Sequence, residues 1–332
     1  MKSYGGLFAA VVARRNVEVA TDRAARGKRD RPAVQRFLAA RDANIGQLVE
    51  DLAEGVYRPG PYRQFGILDP KPRLISCADF RDRIVHHAIC RILGPLIDGR
   101  MIADSYACRD GKGAHRALLR ARDFSRRFSW TLKADIRRYF DSVDHEALLR
   151  RLERLVREPA LRALLAAIVR HPFPGQAPGK GLPIGNLTSQ WFANLYLDEL
   201  DHWAKEARRI PGYVRYMDDI ACWAESKDAL FAFAAEMRAF LAERLQLNLK
   251  EDRLVIAPVT EGMPFLGWRV YPGLLRQQGT RLRRQRRLIA RRELEYLRGE
   301  ISAETLQDSV RAVVGTRRFL GCGEPVRSLV DA

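Results

Sequence analysis

Cysteine is scarce and scattered in this chain. The five cysteines (Cys77, Cys90, Cys108, Cys222 and Cys322) form no CxxC pair, and an odd number leaves one over in any pairing. A disulfide scaffold or a zinc ribbon is therefore not expected, and a reduced, cytoplasmic setting fits best. No run of about 18 uninterrupted apolar residues exists, so no membrane-spanning helix is expected. The opening MKSYGGLFAAVVARRN has only a short apolar run with no small-residue cleavage site after it, and reads as no secretory signal. Internal repeats and low-complexity tracts are also lacking, which sets aside solenoid repeats. Acids are the last shortage: 40 Asp and Glu face 58 Lys and Arg, a net charge of +18 and a pI near 10.2.

What is present narrows the class. A chain of 332 residues that is 47% hydrophobic can bury a sizeable core, and its length suggests roughly two lobes. So basic a folded chain has the electrostatic footprint of a nucleic-acid binder; solubility alone or a basic membrane-surface role are the plainer readings. The excess is mostly arginine, whose planar fork can bond two phosphate oxygens at once.

The first forty or so residues are basic, and residues 33–54 then carry helical spacing up to the Pro59-Gly60-Pro61 break. Pro70 and Pro72 favour an extended stretch into Arg73-Leu74-Ile75. Residues 80–98 and those after Gly113 read as helices. Ser129 to Ile136 reads as a buried strand ending in an acid, followed by a turn (Tyr139 to Asp144) and a helix. A Pro/Gly-rich loop from His171 to Gly185 opens a long apolar helix through Leu200. Short β-type runs follow at Tyr213–Tyr216, Ile220–Trp223, Leu254–Ala257 and Phe265–Val270, with a helix capped by Ser226 among them. After Pro272 a strongly basic helix is expected over 281–298, packing by Leu282, Ile289, Leu294 and Leu297, with a second helical stretch near 302–314. Trp191, Trp203, Trp223 and Trp268 read as core. The pattern indicates an α+β body with a helical appendage, divided as 1–55, 56–275 and 276–332.

Two features point to chemistry. Met217-Asp218-Asp219 places adjacent carboxylates at a tight turn between two apolar strands. It could be an ordinary hairpin tip, but such turns favour Asn-Gly or Asp-Gly, and this one has no glycine. Asp135 ends the strand Trp130–Ile136, where a carboxylate costs desolvation unless something pairs with it. A nearby arginine could serve. So could a divalent cation shared among acids from neighbouring strands, the arrangement used in phosphoryl transfer.

These residues resemble a known family. Tyr216-Met217-Asp218-Asp219 is similar to the YxDD signature of reverse transcriptases, and TLKADIRRYFDSVDHEAL (131–148) resembles their first palm motif. KPRLISCADFRDRIVHHAI (71–89), SYACRDGKGAHRAL (105–118), GLPIGNLTSQWFANLYLDELD (181–201), LNLKEDR (247–253) and PFLGWRVYP (264–272) resemble further blocks, in the family's order. Most members carry a QGxxxSP-type middle motif. Ile184-Gly185-Asn186-Leu187-Thr188-Ser189-Gln190 instead resembles the IGxxxSQ form of diversity-generating retroelements.

The resemblance implies a right-hand polymerase fold, with fingers, a palm built on an antiparallel sheet, and a short α-helical thumb. It implies RNA-directed DNA polymerase activity with two Mg²⁺ ions, or Mn²⁺ in their place, held by Asp135, Asp218, the Ile136 carbonyl and, more weakly, Asp219. Arg73 and Lys71 would reach the incoming deoxynucleotide, and Phe140 would exclude a ribose 2′-hydroxyl unless it is plain core. Ile184, Gly185 and Gln190 would shape the nucleotide pocket. Lys250 would serve pyrophosphate or be a surface lysine beside Glu251. Met217, Arg283, Arg284 and Arg287 would meet the template-primer duplex, although the arginines could equally be a solvated face. The implied partners are a template-repeat RNA, the cDNA/primer duplex, deoxynucleoside triphosphates and a pentameric accessory variability protein. Group II-like, CRISPR-associated or phage-defence reverse transcriptases are the nearest alternatives. A non-catalytic RNA-binding protein of the same fold is the more distant one.

Overall fold

The computed structural model describes residues 4–68 and 72–319. In chain order its elements are α1 (Leu7–Val12), α2 (Arg14–Ala25), α3 (Pro32–Ala39), α4 (Arg41–Ala53), β1 (Arg63–Leu68), β2 (Pro72–Cys77), α5 (Phe80–Asp98), α6 (Ala114–Arg127), β3 (Trp130–Asp135), α7 (Tyr139–Ser142), α8 (His145–Leu155), α9 (Pro159–Val169), α10 (Leu187–His202), β4 (Gly212–Tyr216), β5 (Asp219–Ala224), α11 (Lys227–Leu245), β6 (Val255–Pro258), β7 (Met263–Phe265), β8 (Trp268–Tyr271), β9 (Leu274–Gln277), α12 (Gly279–Leu297) and α13 (Ala303–Phe319). The chain divides into two compact units. One draws on residues 1–102, 136–202 and 238–248, the other on 103–135, 203–237 and 249–332.

The first unit is organised on α5. Ile84, Val85, Ala88, Ile89, Leu93 and Ile97 are all buried, together with Phe80 at the helix start and His86 within it. A helix apolar around so much of its girth belongs inside. Asn16 of α2 donates Nδ2 to the carbonyls of Val11 and Ala88, tying α1, α2 and α5 together. Gly94 lets α10 come close, because a Cβ there would stand 3.2 Å from the Trp191 ring. β1 and β2 form an antiparallel hairpin, Arg63 opposite Cys77.

The second unit holds a four-stranded antiparallel sheet in the order β4-β5-β3-β6 and a three-stranded meander β7-β8-β9. Its core gathers Leu118 and Phe124 of α6, Val214 and Trp223 of the larger sheet, and Met263, Phe265, Trp268 and Val270 of the smaller one. Burying side chains of this size contributes about 1.5–3 kcal/mol each. Trp223 stacks on Phe124 with ring centroids 5.3 Å apart and donates Nε1 to Ser125 Oγ.

Several expectations need correction. The run Phe265–Val270 is not one strand: β7 and β8 meet at Leu266-Gly267, where φ is 48° and 80°. The stretch from Tyr139 contains a short helix. On α12, Ile289 is buried, but Leu294 and Leu297 are 53% and 78% exposed, so those two do not pack the helix. Trp223 and Trp268 are core, whereas Trp191 and Trp203 are half-buried. Among the described residues no helix is long and apolar enough to cross a membrane.

Candidate active site

In β3 one face, Leu132 and Ala134, is fully buried. The other face carries Thr131, Lys133 and Asp135, and opens from buried to half-buried toward the strand end. The antiparallel register sets Asp135 directly opposite Asp219, the first residue of β5. Residues directly opposite share a face, and like charges there repel. The sheet therefore concentrates negative charge at one end, and the sequence must compensate it.

Two lysines do so. Lys250 Nζ donates to Asp135 Oδ1 at 2.9 Å, while the Lys250 amide donates to the Asp135 carbonyl at 2.8 Å. Lys133 Nζ reaches Asp219 Oδ1 at 2.5 Å and also the Ala134 carbonyl. Lys133 lies opposite Ala221, so Asp219 is its diagonal neighbour, within reach of a long side chain. Thus Asp135 takes a lysine rather than an arginine, and Lys250 is engaged with it rather than free on the surface.

Asp218 has the hardest environment. It sits in the two-residue turn between Tyr216 and Asp219, which are paired across the hairpin. Burial, then the carboxylates of Asp135 and Asp219, push Asp218 up to about 6, against a smaller opposing pull from Lys250. The turn itself is strained: Met217 has φ 54°, a left-handed value uncommon for a residue with a long side chain. Arg215 braces it from β4. Its guanidinium is fully buried and donates Nη1 to the Met217 carbonyl at 3.2 Å.

Sequence reasoning alone points to neither Lys133 nor Arg215. A lysine two residues before an acid in an otherwise apolar strand, and an arginine inside an apolar hairpin, are the available signals.

This donor set fits hard divalent cations. Three half-buried carboxylates crowd one sheet end, Asp218 held least favourably, and a cation would relieve that repulsion. Among the described residues no three His, Cys, Asp or Glu side chains form a ready-made metal cage. Mg²⁺ usually needs none, being bound by one or two carboxylates together with substrate phosphates. Ile136, whose carbonyl is the expected further donor, is buried directly after Asp135.

The first unit gathers a second set. The amide of Leu182 donates to the Phe140 carbonyl at 2.7 Å, and the amide of Ser76 in β2 to the Ile184 carbonyl at 2.9 Å. The loop 181–185 is thereby stitched between Phe140 and the strand that bears Arg73. Gly185 has φ 125°, and a Cβ there would stand 2.9 Å from Ile75 Cγ2, so glycine permits the approach. Phe140 is half-buried against Tyr139 rather than plain core; Ile184 and Gln190 are also half-buried, and Arg73 is exposed. Arg283, Arg284 and Arg287 are exposed on α12. Lys71 lies outside the described residues.

An acid-bearing hairpin beside an acid-ended strand, in a mixed helix and antiparallel-sheet body, defines a polymerase of the right-hand class. Residues 68–270 match the family described as reverse transcriptase (RNA-dependent DNA polymerase), and the chain belongs to that family. It is 27% identical to the protein YkfC of Escherichia coli in an alignment 279 residues long that covers 70% of this chain and 73% of that protein. It is 20% identical to the group II intron-encoded protein LtrA of Lactococcus lactis in an alignment 311 residues long that covers 72% of this chain and 51% of LtrA. A telomerase from Candida tropicalis, solved with a TWJ fragment of telomeric RNA, shares the fold at TM-score 0.51 and 11% identity, covering 77% of this chain and 52% of that one. The chain thus spans about half the length of LtrA and of the telomerase.

Proposed function

We propose that this chain is the reverse transcriptase of a diversity-generating retroelement, copying a template-repeat RNA into mutagenised cDNA. Asp135 and Asp218, with the Ile136 carbonyl, would hold two Mg²⁺ ions, or Mn²⁺, and Asp219 would support them. Such ions, when bound, activate the primer 3′-hydroxyl and neutralise charge developing on the α-phosphate. Lys250, which donates to Asp135, would give a proton to, or neutralise, the leaving pyrophosphate. Arg73 and Lys71 would take the triphosphate, and Phe140 the 2′ side of the sugar. Residues 1–55 would form a basic helical extension, 56–275 fingers and palm, and 276–332 the thumb. Arg283, Arg284, Arg287 and Met217 would hold the template-primer duplex, and a pentameric accessory protein would join the complex.

The observation that carries the polymerase reading is the register placing Asp135 opposite Asp219. The retroelement reading rests on Ile184, which stands where most members carry a glutamine, and on Gln190, which stands where they carry a proline. An apolar side chain makes no directional hydrogen bond, so geometry at the nascent pair is policed less strictly. Sequencing cDNA made from a defined RNA tests this: errors concentrated at template adenines, and reduced in Ile184→Gln, are expected. Adenine errors unchanged in that variant refute the role of Ile184. Faithful copying by the wild type, with and without the helper, favours instead an intron-type enzyme, the reading that similarity to LtrA supports.

A further inference from the structure

The first unit carries a basic stripe that nothing above uses. On α5, Arg83, His87 and Arg91 recur at every fourth position and so share one face. That face runs along α2: Arg83 Nη2 donates to the Ala24 carbonyl at 2.8 Å, and Arg91 Nε to Asn16 Oδ1 at 2.9 Å. Arg83 also lies over the Phe80 ring, 5.8 Å from its centroid. Each of these guanidiniums is fixed by one donor, and a guanidinium has five. Arg23 of α2 and Lys28 just past its end stand in the same field. Burial, then Arg83, Arg23 and Lys28, hold His87 down at about 4; burial and then Arg23 lower Arg91.

The acids of α2 do not answer this charge. Glu18 is taken by Arg14 at 3.1 Å, and Asp22 by Arg41 at 3.2 Å and Arg29 at 3.8 Å. Among the described residues none of Arg23, Lys28, Arg83, His87 and Arg91 shares an ion pair with a carboxylate. Arg83, His87 and Arg91 are half-buried, Arg23 and Lys28 exposed beside them; cations crowded together in this way without counter-ions are costly unless an anion completes them.

We propose that the α2/α5 stripe of Arg23, Lys28, Arg83, His87 and Arg91 binds the phosphodiester backbone of the RNA. Shape favours a chain over a single ion. Arg83 to Arg91 spans about 12 Å of helix, whereas a nucleic-acid strand offers a phosphate about every 3.4 Å of axis. The inference rests on the polymerase reading only for the choice of RNA as the polymer.

The test is the salt dependence of binding of the full chain to a fluorescent single-stranded RNA, with thermal melting to confirm folding. Each phosphate no longer neutralised lowers the slope of log affinity against log salt by about 0.7. Arg83→Gln with Arg91→Gln should lower it by about 1.4, so that a fourfold rise in salt weakens the variant about sevenfold less than wild type. Arg83→Lys with Arg91→Lys should keep the slope. If the Gln pair fails to fold, Arg23→Gln, exposed on α2, should still lower the slope by about 0.7. A folded variant with the wild-type slope overturns the proposal. So does competition by inorganic phosphate as strong, per phosphate, as by RNA, or stronger competition by polyglutamate. Single-stranded DNA competing as well as RNA overturns the choice of RNA. Primer extension by the same wild-type preparation keeps the two readings apart. Extension with an unchanged slope removes the stripe alone, and an altered slope without extension removes the polymerase reading alone.

Discussion

Replacing Asp218 by asparagine should make the metal-free chain more stable. In the folded state burial and the two neighbouring carboxylates raise Asp218 from 3.8 to about 6. The folded chain therefore binds this proton more tightly than the unfolded chain. Stability from this group is fully present below pH 4 and is lost as pH rises through about 6. A shift of roughly two units corresponds to at most about 3 kcal/mol at neutral pH. The asparagine amide would carry no charge at any pH and would avoid that cost. Denaturant unfolding with a chelator present, at several pH values, measures it. The variant's advantage should be largest above pH 7, shrink through pH 6 and vanish near pH 4. Adding Mg²⁺ should stabilise wild type more than the variant, narrowing the gap. A variant less stable than wild type at pH 8, or an advantage independent of pH, would refute the electrostatic account of this turn.

Other outcomes follow from named contacts. Lys133→Met should strand Asp219 opposite Asp135 and cost about 1–3 kcal/mol in urea unfolding; its primer extension should also fall. His86 is fully buried against Thr188 Oγ1 at 2.8 Å, and burial, then His87, hold it down to about 3. Because its folded value is depressed, the folded chain loses up to about 1.4 kcal/mol per pH unit from this group as pH falls from 6.5 toward 3; His86→Gln should flatten that acid limb. Gly185→Ala should cost about 1–3 kcal/mol in the same assay, since its Cβ would meet Ile75 Cγ2 at 2.9 Å and the Ser76 carbonyl at 3.0 Å at a φ of 125°. Phe140→Ala should raise ribonucleotide incorporation relative to deoxynucleotide by about tenfold or more, measured by competitive extension.

Much of the site is legible in the sequence because its signals are local. The strand ending in Asp135, the hairpin bearing Asp218 and Asp219, the Ser226 cap and the basic α12 each show in a few consecutive residues, and each lies where those residues put it. The Ser226 hydroxyl accepts from the Ala229 amide at 3.2 Å. What escapes is tertiary. The Lys133–Asp219 pair depends on a diagonal across two strands, and the Arg215 brace on a turn carbonyl that only the folded hairpin presents. Helix α2 is hidden because its buried face is made of Asn16, Val17, Ala20, Thr21, Ala24 and Ala25, small or polar residues that leave little apolar periodicity. Helix α9, Pro159–Val169, is apolar nearly all round and gives no clear stripe. The exposure of Leu294 and Leu297 shows the converse, helical spacing with nothing packed against it.

The most direct test of the central claim is primer extension on a defined RNA template with deoxynucleotides and Mg²⁺, comparing wild type with Asp218→Asn at matched folded concentration. Extension by wild type and its loss by several orders of magnitude in the variant are predicted. Equal extension by the two, or none by a folded wild type supplied with its RNA and helper, would contradict the assignment of chemistry to these carboxylates.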